Sequence, residues 1–129
     1  MGHVFAEVWL KGRKGAEKVT MLVDTGATLS ALPRELADRI GVPTLGPVRA
    51  RLADGRELDV EAGVVHVTIN GREAPTTVLI LGEEPLLGVE TLETLGLKVN
   101  PHTGELEPAR AFTLRLGARI SEQLRKGAV

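Results

Sequence analysis

Met21-Leu22-Val23-Asp24-Thr25-Gly26-Ala27-Thr28 is the stretch on which the reading of this chain turns. Val19 to Val23 is an apolar run that reads as a strand, continuous enough in character to be expected buried on both faces. It ends abruptly in a carboxylate, a small hydroxyl residue and a glycine. An aspartate at the end of a buried strand is costly unless its charge is used or satisfied. Thr25 can hydrogen-bond within the turn, and Gly26 lets backbone approach closely and donate to the carboxylate. Such an arrangement fixes one carboxylate at the floor of a pocket. Asp-Thr-Gly is also good turn chemistry in its own right, so the flanking sequence has to decide what the triplet is for.

On the N-terminal side, His3 to Leu10 alternates, with Val4, Ala6, Val8 and Leu10 on one face of a half-buried strand, and Gly12-Arg13-Lys14-Gly15 reads as an exposed turn. On the C-terminal side an irregular stretch leads to a short helix over Pro33 to Ile40. Pro33 suits its first position and Gly41 its stop. Beyond Pro47 the pattern is β. Val48 to Leu52, Asp54-Gly55 and Glu57 to Val60 predict a hairpin with a type I′ turn, and Val64 to Ile69, Asn70-Gly71 and Thr76 to Leu81 predict a second. Val89 to Leu95 reads as a short helix stopped by Gly96, and Asn100 to Gly104 as a turn between two short strands. A strand over Ala111 to Leu116 and a polar helix or tail over Ile120 to Lys126 complete the chain. The result is a mostly β architecture of seven to nine short strands and two small helices, a closed barrel or sandwich.

The whole composition narrows the function. At 129 residues there is one domain, not two full lobes. With 16 Lys+Arg against 17 Asp+Glu, a net charge of −1 supplies no bulk attraction to nucleic acid or to an anionic membrane. Phe5, Trp9 and Phe112 are the only aromatics, so the core is aliphatic and base-stacking platforms are missing. Zero cysteines exclude disulfides, thiolate zinc sites and thiol nucleophiles, and no apolar run is long enough for a span or a signal-peptide core. The expectation is a soluble, intracellular, cytoplasmic protein.

With these elements in place, Asp24-Thr25-Gly26-Ala27 after an aliphatic strand, followed by Leu32-Pro33 opening a helix, resembles the active-site segment of retropepsin-like aspartic proteases. Leu86-Leu87-Gly88 before the helix Val89 to Leu95 resembles that family's second signature, in which two apolar residues and a glycine pack under the catalytic loop. The Asp54-Gly55 hairpin falls between them, where the family has its flap. The resemblance spans residues 4 to 108 and is closer to bacterial single-domain members, and to the protease-like domain of ubiquitin-shuttle proteins, than to the viral enzymes. It implies a closed acid-protease barrel over residues 1–108. Residues 109–129 would add a C-terminal strand plus a short helix or tail, within the same domain or at a dimer interface.

The resemblance implies roles as well. Asp24 would be catalytic, with Thr25, Gly26, Leu87 and Gly88 supporting its loop and Ala27, Ala53, Asp54 and Gly55 meeting the substrate. Aspartic proteolysis needs two carboxylates around one water, sharing one proton, and no cofactor or metal. This chain has one Asp-Thr-Gly, and Asp38, Asp54 and Asp59 lack the continuation. The second carboxylate is therefore expected from Asp24 of another copy, in a homodimer acting on a peptide or protein substrate.

The chain departs from the viral pattern in its charged flap tip, Ala53-Asp54-Gly55-Arg56, and in Val89-Glu90, where the viral enzymes carry an arginine. A rival reading keeps the fold as a non-catalytic peptide-binding or dimerisation module. A third is a processing enzyme dedicated to one partner. Other chemistries find less support. His3, His66 and His102 are too dispersed for a metal site, Ser30 and Ser121 lack a nucleophile elbow, and Gly12 to Gly15 is no phosphate loop.

Overall fold

The computed structural model describes residues 3–109. The two elements expected in Ala111–Leu116 and Ile120–Lys126 lie outside the described residues. Among the described residues, nine strands and two helices run in the order β1 (Val4–Lys11), β2 (Ala16–Val23), β3 (Ser30–Leu32), α1 (Arg34–Ile40), β4 (Thr44–Arg51), β5 (Glu57–Ile69), β6 (Arg72–Ile80), β7 (Leu86–Leu87), α2 (Val89–Leu95), β8 (Leu97–Val99) and β9 (Leu106–Pro108). None of these helices is long and apolar enough to cross a membrane.

Seven strands form one sheet in the order β1-β2-β7-β3-β6-β5-β4. Antiparallel pairing of Trp9–Lys11 with His66–Thr68 joins β1 back to β5, so the pairings close into a ring with β4 on its rim. β8 and β9 make a separate two-stranded sheet. The ring is filled by aliphatic side chains from alternating positions: Val8 and Leu10 of β1, Val65, Val67 and Ile69 of β5, and Val78 of β6. Phe5 and Trp9, of opposite parity on β1, are left facing outward.

The sequence reading holds for most elements and fails in four instructive places. β2 begins at Ala16 rather than Val19, and only Met21 of it is buried, so it is not covered on both faces. The helix α1 starts at Arg34, because Pro33 stays extended (φ −59°, ψ 147°) and serves as the cap. The strands expected over Glu57–Val60 and Val64–Ile69 are one strand of 13 residues. Gly63 does not break it. A side chain there would collide with Val42 and the Pro43 carbonyl, so the glycine permits a close crossing.

The fourth concerns turn chemistry. Asn70 and Gly71 both have positive φ, as the expected type I′ turn requires. At the other hairpin only Gly55 does (φ 88°). There the Gly55 N–H donates to the Leu52 carbonyl and the Leu52 N–H to the Arg56 carbonyl. The loop is Ala53-Asp54-Gly55, three residues closed on a left-handed glycine, because Asp54 can stay in the ordinary region when one more residue joins the loop.

The exposed β1–β2 turn has a structural use. The Arg13 and Lys14 N–H groups donate to the Gly41 and Ile40 carbonyls at 2.8 and 2.9 Å, satisfying the end of α1.

Candidate active site

β7 is wedged between β2 and β3, parallel to the first through Leu22↔Leu86 and Val23↔Leu87 and antiparallel to the second through Ala31↔Leu86. The chain that leaves β2 must therefore cross over β7 to reach β3, and residues 24–29 are that crossing. Their backbone is tied down at three points: the Asp24 N–H donates to the Leu87 carbonyl, the Val89 N–H to the Ala27 carbonyl and the Glu90 N–H to the Thr28 carbonyl, each at 2.9 Å. Within the loop the Ala27 N–H closes a turn onto the Asp24 carbonyl at 3.1 Å, and the Gly26 N–H donates to Asp24 Oδ1 at 3.0 Å.

The fit beneath the loop explains both signature glycines. A Cβ on Gly88 would sit 2.5 Å from the Leu29 carbonyl carbon and 2.9 Å from the Ser30 nitrogen, both backbone atoms. A Cβ on Gly26 would meet only Asp24 Oδ1, at 3.3 Å. Gly88 is demanded by packing, and Gly26 by the carboxylate. Leu87 is fully buried under the loop.

Asp24 opens into a cavity of about 690 Å³. Its floor is the crossing loop, with Gly26, Ala27 and Thr28 beside the carboxylate. Its walls include Leu79, Leu81 and Leu86, and its roof is residues 48–53 of the β4–β5 hairpin. This is room for an extended peptide several residues long, with one carboxylate at its base. Asp24, Gly26, Ala27 and Ala53 thus share one cleft. Thr25 does not line it. Thr25 is exposed beside Gly26, in a second, smaller hollow of about 270 Å³ shared with Val89, Glu90 and Glu93. Asp54 and Gly55 lie at the hairpin tip, outside the cavity lining, where Asp54 accepts from the Arg56 side chain at 2.7 Å and from its N–H at 3.0 Å. The charged tip is thus internally neutralised. Arg49 and Arg51 reach across the hairpin to Asp59 and Glu57 at 3.3 and 3.7 Å.

Three polar residues lie below the loop, of which sequence alone weighs Ser30 only as a nucleophile and passes over the other two. Ser30, Thr91 and Thr76 are all buried, and their hydroxyls are chained: Thr76 Oγ1 lies 2.8 Å from Thr91 Oγ1, which lies 2.7 Å from Ser30 Oγ. Ser30 Oγ in turn accepts the Gly88 N–H at 2.9 Å. The available signal was Thr76, which has the parity of the buried residues Val78 and Ile80 on β6. The three histidines belong to different elements, His3 before β1, His66 on β5 and His102 in the turn before β9.

Comparison with known proteins agrees with this fold. A family model described as "gag-polyprotein putative aspartyl protease" matches residues 10–94, more than half of the chain. Among solved structures, the fold is similar to that of the EIAV protease complexed with the inhibitor HBY-793, with a TM-score of 0.64 and 20% identity over 77% of this chain and 93% of that one. Among curated proteins none matches this chain.

Proposed function

Because this chain belongs to the gag-polyprotein aspartyl protease family, we propose that it is an aspartic endopeptidase whose active site is completed by a second copy of itself. The observation that carries the reading is Asp24. A carboxylate is fixed by its own loop at the base of a cleft sized for an extended peptide. One such carboxylate is half of the chemistry. Two held at hydrogen-bond distance cannot both ionise easily and so share a proton. The ionised one takes a proton from a water molecule as that water attacks the peptide carbonyl. The protonated one donates to the carbonyl oxygen. Collapse of the tetrahedral intermediate then returns a proton to the leaving amine.

With a single Asp-Thr-Gly in 129 residues, the second carboxylate is assigned to Asp24 of a partner, and the site to the two-fold axis of a homodimer. Thr25 and Gly26, exposed on the single chain, would meet their own copies there. Ala27 and Ala53 line the substrate cleft, and the hairpin carrying Asp54 and Gly55 closes over a peptide bound in extended form.

The test is hydrolysis of an unfolded protein across about pH 4 to 8, with Asp24→Asn as the control. Activity is expected on the acidic side and is expected to vanish in the variant, whose fold remains. Cleavage that persists in Asp24→Asn, or a rate flat with pH, would refute the shared-proton dyad.

A further inference from the structure

Resting on the reading of Asp24 as the catalytic group, we propose that Ser30, Thr91 and Thr76 are positioning residues. Their buried hydroxyl relay, acting through the Gly88 amide, sets the place of the Asp24 loop. The loop is tied to the junction between β7 and α2. It hangs from the carbonyl of Leu87 and the amides of Val89 and Glu90, the segment either side of Gly88. β7 is paired with β2 and β3 up to Leu87; at Gly88, where that pairing ends, the N–H bonds to Ser30 Oγ, and Ser30 Oγ is tied to Thr91, braced in turn by Thr76.

The relay joins three elements, β3, β6 and α2, at one point beneath the crossing, and reaches Gly88 at the junction of β7 and α2. Three buried hydroxyls are an unfavourable way to fill such a space, since valine or alanine would pack there without any polar group to satisfy. Their advantage is direction. A hydrogen-bonded chain has one register, whereas aliphatic contacts tolerate small sliding movements. A dyad that must meet its own copy across a two-fold axis is sensitive to such sliding, because each displacement enters twice.

The experiment compares the wild type with Thr91→Val, which keeps the volume and removes the hydroxyl, and Thr91→Ser, which keeps the hydroxyl. Steady-state kinetics use a peptide spanning a bond the wild type cleaves in an unfolded protein. In Thr91→Val, kcat is expected to fall about tenfold with KM within about twofold, as for a displacement of a fraction of an ångström. Thr91→Ser is expected to recover most of that loss. Amide exchange at Asp24, Gly88, Val89 and Glu90 is expected to quicken about tenfold in Thr91→Val, while the β1–β2 amides stay unchanged.

Wild-type exchange and kcat in folded Thr91→Val would overturn the proposal. So would a Thr91→Ser variant as slow as Thr91→Val, since volume and not the hydroxyl would then be at issue. If Thr91→Val does not fold, Ser30→Ala removes the acceptor of the Gly88 N–H and carries the same readouts. A wild type that cleaves no peptide sinks the protease reading alone, and the exchange rates still decide the relay.

Discussion

Gly26 and Gly88 occupy the same few ångströms of the molecule for different reasons, and single substitutions separate them. The Cβ of Gly88→Ala would press on the backbone of Leu29 and Ser30, and backbone cannot turn aside. The variant is expected to lose upwards of about 2 kcal/mol of stability, seen as a lowered urea midpoint. Gly26→Ala would meet only one carboxylate oxygen of Asp24, which can rotate. It is expected to cost under about 1 kcal/mol yet to depress hydrolysis strongly, because the rotated group is the proposed reactive one. Equal stability losses in the two variants would contradict this division. The Asp-Thr-Gly and Leu-Leu-Gly signatures were readable because each residue's chemistry is local: a carboxylate, a small hydroxyl residue, a glycine. The relay beneath them was not. Ser30, Thr76 and Thr91 acquire meaning only from one another, across 61 and 15 residues of sequence.

At the scale of elements, the strands readable from sequence are the long ones, whose alternation reports a buried face. β3 and β7 have three and two residues. No period can be seen in so short a run, and both exist only because β2 and β6 flank them. Yet they form the middle of the sheet and dictate the crossing loop. The Asp54-Gly55 turn type was ambiguous for a related reason, since two-residue and three-residue loops accept the same dipeptide.

α1 and β5 are joined by a fork between Arg34 and Glu61, Nη1 to Oε1 at 3.1 Å and Nη2 to Oε2 at 3.2 Å. The Arg34 side-chain hydrogen bond holds the Glu61 carboxyl below its ordinary range. A depressed carboxylate stabilises the fold above its unfolded titration and loses that contribution as pH falls through its folded one. Glu61→Gln is therefore expected to melt below the wild type near neutral pH and low salt. The two should converge as pH falls through the lowered folded titration of Glu61, below which the wild-type side chain is also neutral. Both side chains are partly exposed, so the gap is small and shrinks with added salt. A gap that survives acidification would mean that the glutamine, not the lost charge, is responsible.

At the scale of the whole molecule, the decisive quantity is the number of proposed catalytic carboxylates per chain. Among the described residues the ring closes around one core and presents one crossing loop at the cleft, so one chain supplies one carboxylate of the proposed two. Length and motif count carried this inference before any geometry. What they left out was that the loop's outer face, with Thr25 and Gly26, is exposed on the single chain and so available to a copy. The requirement for two carboxylates from two chains has a consequence that a site contained in one chain cannot mimic. When Asp24→Asn subunits are mixed with wild type and allowed to exchange, random pairing puts wild-type subunits into dimers with a single carboxylate. Activity per wild-type subunit is expected to fall to about half at equal amounts and to about a quarter at threefold excess of the variant. Subunit exchange is checked separately by mass-tagged chains. If exchange is complete and activity per wild-type subunit stays constant, each chain works alone and the second carboxylate must be sought within it. A loss that follows the product of subunit fractions requires instead that each cleavage draw one Asp24 from each of two chains.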